Sequence, residues 1–201
     1  EERAQMARIP FEEAEYVSEP GSVSVFGEPG FSTYERTWAR PTLEINGIWG
    51  GFQGDGLKTV LPSTAHAKIS CRLVADQNPS RIADLVANHI KKVTPPGVKV
   101  TLGKRGSGSF PYLIPPDHRG LGVAASVLKD LYQKEPCKIR SGGTIPANAM
   151  FLEHLGAYTI VFGFGLEDER LHSPNEFFRL SSYEKGQKAY GMLLERLGAG
   201  G

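Results

Sequence analysis

The chain of 201 residues is poor in cysteine, has no long apolar run and carries almost no charge imbalance. Cys71 and Cys137 are its two thiols. They lie in separate apolar runs without CxxC spacing, which argues against a zinc ribbon or redox motif and for buried, reduced thiols in a cytoplasmic protein. No stretch approaches the roughly 20 apolar residues of a membrane span, and Glu1-Glu2-Arg3 lacks the apolar core of a secretory signal. Against 23 lysines and arginines stand 22 acidic residues, a formal charge of +1. A large electrostatic footprint for nucleic acid or an anionic membrane is therefore missing, and the expected partner is a small molecule or another protein.

What the chain has in excess is 24 glycines and 14 prolines, close to a fifth of its residues against about 12% in an ordinary protein. It reads as loop-rich, yet 40% hydrophobic and 22% charged residues are enough for an ordered core. The length allows one large domain or two small ones. The chain starts without Met, and Glu1–Tyr16 alternates acidic and apolar residues like a short uncapped helix. A piece of a longer protein is the expectation.

Residues 17–37 show no period and read as a long loop. Thr42–Asn46 alternates as a half-buried strand, ended by Gly50, Gly51, Gly54 and Gly56. The clearest strand follows, with Ala65, Ala67, Ile69, Cys71 and Leu73 on one face and His66, Lys68, Ser70 and Arg72 on the other. Asn78 caps a helix with Pro79 at its first position and a stripe of Ile82, Leu85, Val86, Ile90 and Val93. Val98, Val100 and Leu102 give a further strand. Strand, strand, helix, strand builds an antiparallel sheet with a helix on one face, and a preceding strand and helix would complete a ferredoxin-like unit.

Beyond Pro116 the pattern changes. Asp117 caps a helix bearing Leu121, Ala124, Val127, Leu128 and Leu131; Cys137–Ile139 reads as a short strand; Pro146 opens a helix ending at Gly156. Tyr158–Phe164 has the composition of a strand buried on both faces, and Ser181 with Glu184 has capping-box spacing before a helix whose core side is Ala189, Met192, Leu193 and Leu197. Helix and strand alternate here, as in an α/β layer with a parallel or mixed sheet.

Three stretches carry chemistry. Arg140-Ser141-Gly142-Gly143-Thr144-Ile145-Pro146 puts two glycines before a helix start, where bare backbone and unpaired N–H groups attract an anion such as a carboxylate. The same run also fits an ordinary tight turn, with Thr144 as a local cap. His172-Ser173-Pro174-Asn175-Glu176 offers an imidazole after a buried strand, a zinc ligand or a solvated loop residue. The His66, Lys68, Ser70 and Arg72 face either binds a carboxylate through the arginine fork or is the solvated side of the sheet. Gly54-Asp55-Gly56-Leu57-Lys58-Thr59 lacks the Gly-Lys-Thr of a phosphate loop, and Gly106-Ser107-Gly108 is too short for a dinucleotide fingerprint.

In order, Glu35–Gly47, Lys58-Thr59-Val60-Leu61-Pro62, Ile69–Val74, the Gly-Gly-Thr-Ile-Pro run and His172-Ser-Pro-Asn-Glu resemble the dinuclear zinc exopeptidases that include aminoacylase, glutamate carboxypeptidase and the desuccinylases. Within that family they are most similar to the carnosinase-like dipeptidases. The resemblance extends over nearly the whole chain. It implies a catalytic α/β domain interrupted by a ferredoxin-like lid that also makes a homodimer: residues 1–112 would be the lid and dimerisation domain, N-terminally incomplete, and 113–201 the C-terminal segment of the catalytic domain. The fold class expected is thus α+β followed by α/β.

The resemblance further implies that His172 is a ligand to one of two bridged metals, zinc or in some members manganese. Thr59 and Arg72 would bind substrate from the lid, and Gly142, Gly143 and Thr144 would hold it beside the metals, Thr144 standing where the carnosinase-like members usually have Ser. The two metals would polarise the scissile carbonyl of a dipeptide or N-acyl amino acid and activate a bridging water. The family's His-x-Asp motif, bridging Asp, Glu pair with the general base, further acidic ligand and lid histidine have no counterpart here and would precede Glu1. No catalytic residue is therefore assigned, and the isolated chain is expected to be inactive. The alternative is a non-catalytic dimerisation or peptide-binding module.

Overall fold

The structure, a computed structural model, describes residues 1–18, 20–106, 108–143 and 145–199. Among the described residues seven helices and two strands follow the order α1 (Glu2–Met6), α2 (Glu13–Ser18), α3 (Thr33–Trp38), β1 (Thr42–Gly50), β2 (Ala65–Arg72), α4 (Pro79–Val93), α5 (Arg119–Tyr132), α6 (Pro146–Leu155) and α7 (Leu180–Gly198), with a 3-10 turn at Glu167–Glu169 before α7. The fold is mixed α+β. It divides into one unit of Glu1–Pro10, Leu113–Ile139 and Met150–Gly201 and another of Phe11–Tyr112 and Arg140–Ala149.

The second unit is built on β1 and β2, which pair antiparallel from Thr42 opposite Arg72 to Gly50 opposite Ala65. The apolar residues of β1 change parity, Leu43 and Ile45 being odd and Ile48 even, and a regular strand would put them on opposite faces. The register shifts by one residue between Ile45 and Gly47, so Asn46 is bulged out and the faces are restored. Leu43, Ile45 and Ile48 thus stand over Cys71, Ile69 and Ala67, while Thr42, Glu44 and Trp49 oppose Arg72, Ser70 and His66 on the polar side. The Trp49 and His66 rings stack at 4.9 Å, and Lys68 Nζ lies 5.8 Å from the Trp49 ring. Leu43, Ile45, Ile48 and Ile69 remain exposed.

Asn78 caps α4 by accepting from the Arg81 N–H at 3.0 Å, with Pro79 in the first turn, as its sequence predicts. The inward side of α4 is Ile82, Val86, Ala87 and Ile90; Leu85 and Val93, expected in the stripe, are exposed. Two other expectations change in this unit. The region read as a loop contains α3, started by a capping box in which Ser32 Oγ accepts from the Glu35 N–H and Glu35 Oε2 accepts from the Ser32 N–H. Residues 98–102 form no strand, because a strand needs a ladder partner and they have none among the described residues.

In the first unit α5 packs on α7 around Ala124, Val127, Phe162, Ala189 and Leu193, with Val127 and Ala189 wholly buried. Ile160, Phe164, Leu131, Met192 and Leu197 close the cluster. The helix faces are those the 3.6-residue period predicts. Tyr158–Phe164 is not a strand buried on both faces. Ile160, Phe162 and Phe164 turn inward, Val161 is 63% exposed, and the segment is fastened by the Tyr190 hydroxyl donating to the Phe162 carbonyl at 2.7 Å. Residues 137–139 likewise form no strand. His118, not Asp117, caps α5, its Nδ1 accepting from the Gly120 N–H at 3.1 Å. α7 begins at Leu180, which puts Ser181 inside it rather than at its cap.

Both thiols are free and half-buried. Burial, and then the Glu44 carboxylate, push the Cys71 thiol above its ordinary range. Among the described residues no helix is long and apolar enough to cross a membrane.

Candidate functional site

Arg72 ends β2 on its polar face, and its Nη1 donates to the Gly142 carbonyl. This bond joins two of the stretches that the sequence singles out. Gly142 is half-buried for a backbone reason: a Cβ built there would lie 2.1 Å from the Thr37 carbonyl oxygen at the end of α3. The side of Gly142 that a Cβ would occupy therefore faces α3. The Gly143 N–H is not unpaired, since it donates to Ser141 Oγ at 3.1 Å. What the turn shows is a guanidinium donating to the carbonyl of Gly142, ahead of the start of α6. A guanidinium is a group that pairs with an anion.

Thr59 is the centre of a three-residue turn closed by the Val60 N–H on the Lys58 carbonyl at 2.9 Å. It stands exposed on the loop between β1 and β2. Thr144 lies outside the described residues.

His172 belongs to the other unit, on the segment between Phe164 and α7. It is exposed and adopts a left-handed backbone at φ 61°, as do Arg170 at 56° and Asn175 at 62°. Such conformations cost side-chain-bearing residues on the order of 1 kcal/mol each, so three within six residues need support. It comes from Glu169. This carboxylate is buried and accepts from the Leu166 N–H at 2.8 Å, the Arg179 N–H at 3.0 Å and Arg179 Nη1 at 3.2 Å. The Glu169 carbonyl takes the Phe177 N–H at 3.2 Å. Arg179 in turn makes a fork to Asp168 at 2.9 and 2.5 Å and lies over the Phe177 ring at 5.0 Å. The Leu166 N–H first, then the Arg179 amide and guanidinium, hold the Glu169 carboxyl below its usual range against the opposing effect of burial. Arg179 does the same for Asp168.

Sequence reasoning missed both supports. The Ser32 and Glu35 spacing was a legible signal for α3, whereas the pairing of Glu169 with Arg179 spans ten residues of irregular chain and has no period to betray it.

Among the described residues no three His, Cys, Asp or Glu side chains gather as a metal-binding group. A zinc centre takes three or four ligands. The described residues therefore do not make a metal centre by themselves.

Residues 4–98 match the peptidase dimerisation domain. The chain is 31% identical over 171 residues to the Cys-Gly metallodipeptidase of Schizosaccharomyces pombe, covering 84% of this chain and 36% of that protein. It is 31% identical over 163 residues to the Beta-Ala-His dipeptidase of Homo sapiens, covering 76% of this chain and 31% of that one. Among solved structures it resembles an M20 family metallo-carboxypeptidase of Sulfolobus solfataricus with a TM-score of 0.74 and 25% identity, over 96% of this chain and 44% of that one. It also resembles the Dug1p di-peptidase of Saccharomyces cerevisiae with a TM-score of 0.70 and 25% identity, over 96% and 40%. The chain thus spans about a third of the length of the curated relatives it matches.

Proposed function

We propose that this chain, whose residues 4–98 match the peptidase dimerisation domain and which is similar to metallodipeptidases, serves a metal-dependent hydrolase cleaving the amide bond of dipeptides or N-acyl amino acids. In this reading residues 1–112 act as lid and homodimer interface and residues 113–201 contribute to the catalytic domain. Arg72, with Gly142, Gly143, Thr144 and Thr59, receives the substrate, and His172 is one ligand of a zinc or manganese pair. A cytoplasmic location goes with the reduced thiols. The chain alone is inactive.

The observation that supports this reading is the bond between the Arg72 guanidinium and the Gly142 carbonyl. A dipeptide ends in a carboxylate, and a planar guanidinium is a group that recognises one through paired hydrogen bonds. Arg72→Ala in the full-length protein is expected to lower kcat/KM for dipeptides by roughly ten- to a hundredfold, the worth of one charged hydrogen bond. Most of that loss falls in KM, because the carboxylate does not react. Full-length protein loaded with zinc or manganese that hydrolyses nothing in a panel of dipeptides and N-acyl amino acids would leave the non-catalytic dimerisation or peptide-binding module in its place.

A further inference from the structure

We propose that Glu169, acting with Arg179, is a positioning residue that holds the backbone of the His172 turn in its left-handed form. The proposal builds on the reading of His172 as a metal ligand, but the physical claim concerns the turn itself. A ligating imidazole must point in one direction, and its direction is set by its own φ before any side-chain rotation. At His172 that φ is 61°, with further left-handed residues two positions before and three after. None of the three is glycine, the residue that reaches such values without steric cost.

The hydrogen bonds show how the turn is closed. Within it, the Ser173 N–H donates to the Arg170 carbonyl at 2.9 Å and the Glu176 N–H to the Ser173 carbonyl at 3.2 Å. These are short-range bonds between exposed groups, which water can replace. The bonds that fix the two ends to each other converge on Glu169. Its Oε2 accepts from Leu166 ahead of the turn, its Oε1 accepts twice from Arg179 behind it, and its carbonyl accepts from Phe177. The side chain is 5% exposed, so these bonds are shielded and their loss would strand buried donors. Asp168 anchors the outer edge of the Arg179 guanidinium and leaves its inner edge to Glu169. The left-handed residues thus sit between ends that one buried carboxylate ties together.

The test uses isotopically labelled chain and reads the Cα and Cβ chemical shifts of His172, which distinguish left-handed from extended backbone, with amide exchange of Ser173 and Glu176. In the wild type the shifts are left-handed. Glu169→Ala is expected to move them to extended or averaged values and to speed both amides roughly tenfold, the factor that corresponds to one lost hydrogen bond, while the Phe162 and Tyr190 signals of the α5–α7 core stay in place. Glu169→Gln, which keeps one acceptor oxygen, should fall between the two and serves if the alanine variant does not fold. Arg179→Lys should mimic a partial loss, since the backbone amide of residue 179 still reaches Glu169. Left-handed shifts that persist in folded Glu169→Ala or Glu169→Gln overturn the proposal. His172→Ala separates it from the ligand reading. Unchanged zinc content in full-length protein bearing His172→Ala removes the ligand and leaves the clip intact, whereas left-handed shifts surviving the Glu169 variants remove the clip and leave the ligand.

Discussion

At the scale of single residues, the clearest determinant is a missing side chain. Gly142 lies so close to the Thr37 carbonyl that Gly142→Ala must displace backbone rather than a flexible side-chain end. The expected cost is about 1–3 kcal/mol, read as a lower denaturation midpoint. Because the same carbonyl group of residue 142 receives Arg72, on the proposed reading the change should also raise KM for dipeptides in the full-length protein. The double variant with Arg72→Ala should then lose less than the sum of the two. Glu169 gives a pH signature. Its carboxyl is held low in the folded state, so the stability it contributes is complete above the ordinary glutamate pKa of about 4.3. That stability fades as pH falls through the lower folded value. Urea denaturation between pH 6 and pH 3 should show this acid loss diminished in Arg179→Ala. Arg72 and His172 were legible as candidates because their chemistry stands in the residue type itself. That the bare side of Gly142 faces a carbonyl, and that Glu169 supports the turn, were not, because each depends on a neighbour brought by folding from elsewhere in the chain.

At the scale of elements, periodicity explains what was legible. α4, α5 and α7 follow from 3.6-residue apolar stripes, and β2 from strict alternation. Residues 98–102, 137–139 and 158–164 have strand composition yet form no strand, since composition specifies an extended chain and only a neighbour supplies a ladder. The start of α7 was misplaced by the Ser181 and Glu184 spacing because the amide of Arg179, just ahead of the helix, is taken by Glu169. Asn46 carries the sharpest element-level expectation. Deleting it joins Ile45 directly to Gly47, whose partners Ile69 and Lys68 are already consecutive, so the bulge is lost, Ile48 and Trp49 keep their faces, and the stacking of Trp49 on His66 should survive. Tryptophan fluorescence and the aromatic ring-current shifts of His66 would report it. In the other unit Leu193→Ala, in the middle of the α5–α7 core, should cost about 2–5 kcal/mol.

At the scale of the whole molecule, surface area carries the argument. A compact protein of 21.9 kDa exposes about 9,300 Å², and two separate compact halves about 11,000 Å², whereas this chain exposes 15482 Å². The excess does not depend on how the two units are disposed. It includes Leu43, Ile45, Ile48 and Ile69 on one face of the sheet and Phe151, Leu155 and Val161 in the other unit. Apolar area on this scale favours association, so sedimentation should give species heavier than a monomer, together with binding of a hydrophobic dye; a clean monomer without dye binding would contradict it. The two free thiols acquire a use at this scale. Cys71 falls in one unit and Cys137 in the other, and the chain has no third cysteine. The chain therefore carries its own ruler: a donor and an acceptor dye, or a pair of spin labels, attached to these two native sulfurs would read the separation of the units in solution, without a single introduced residue.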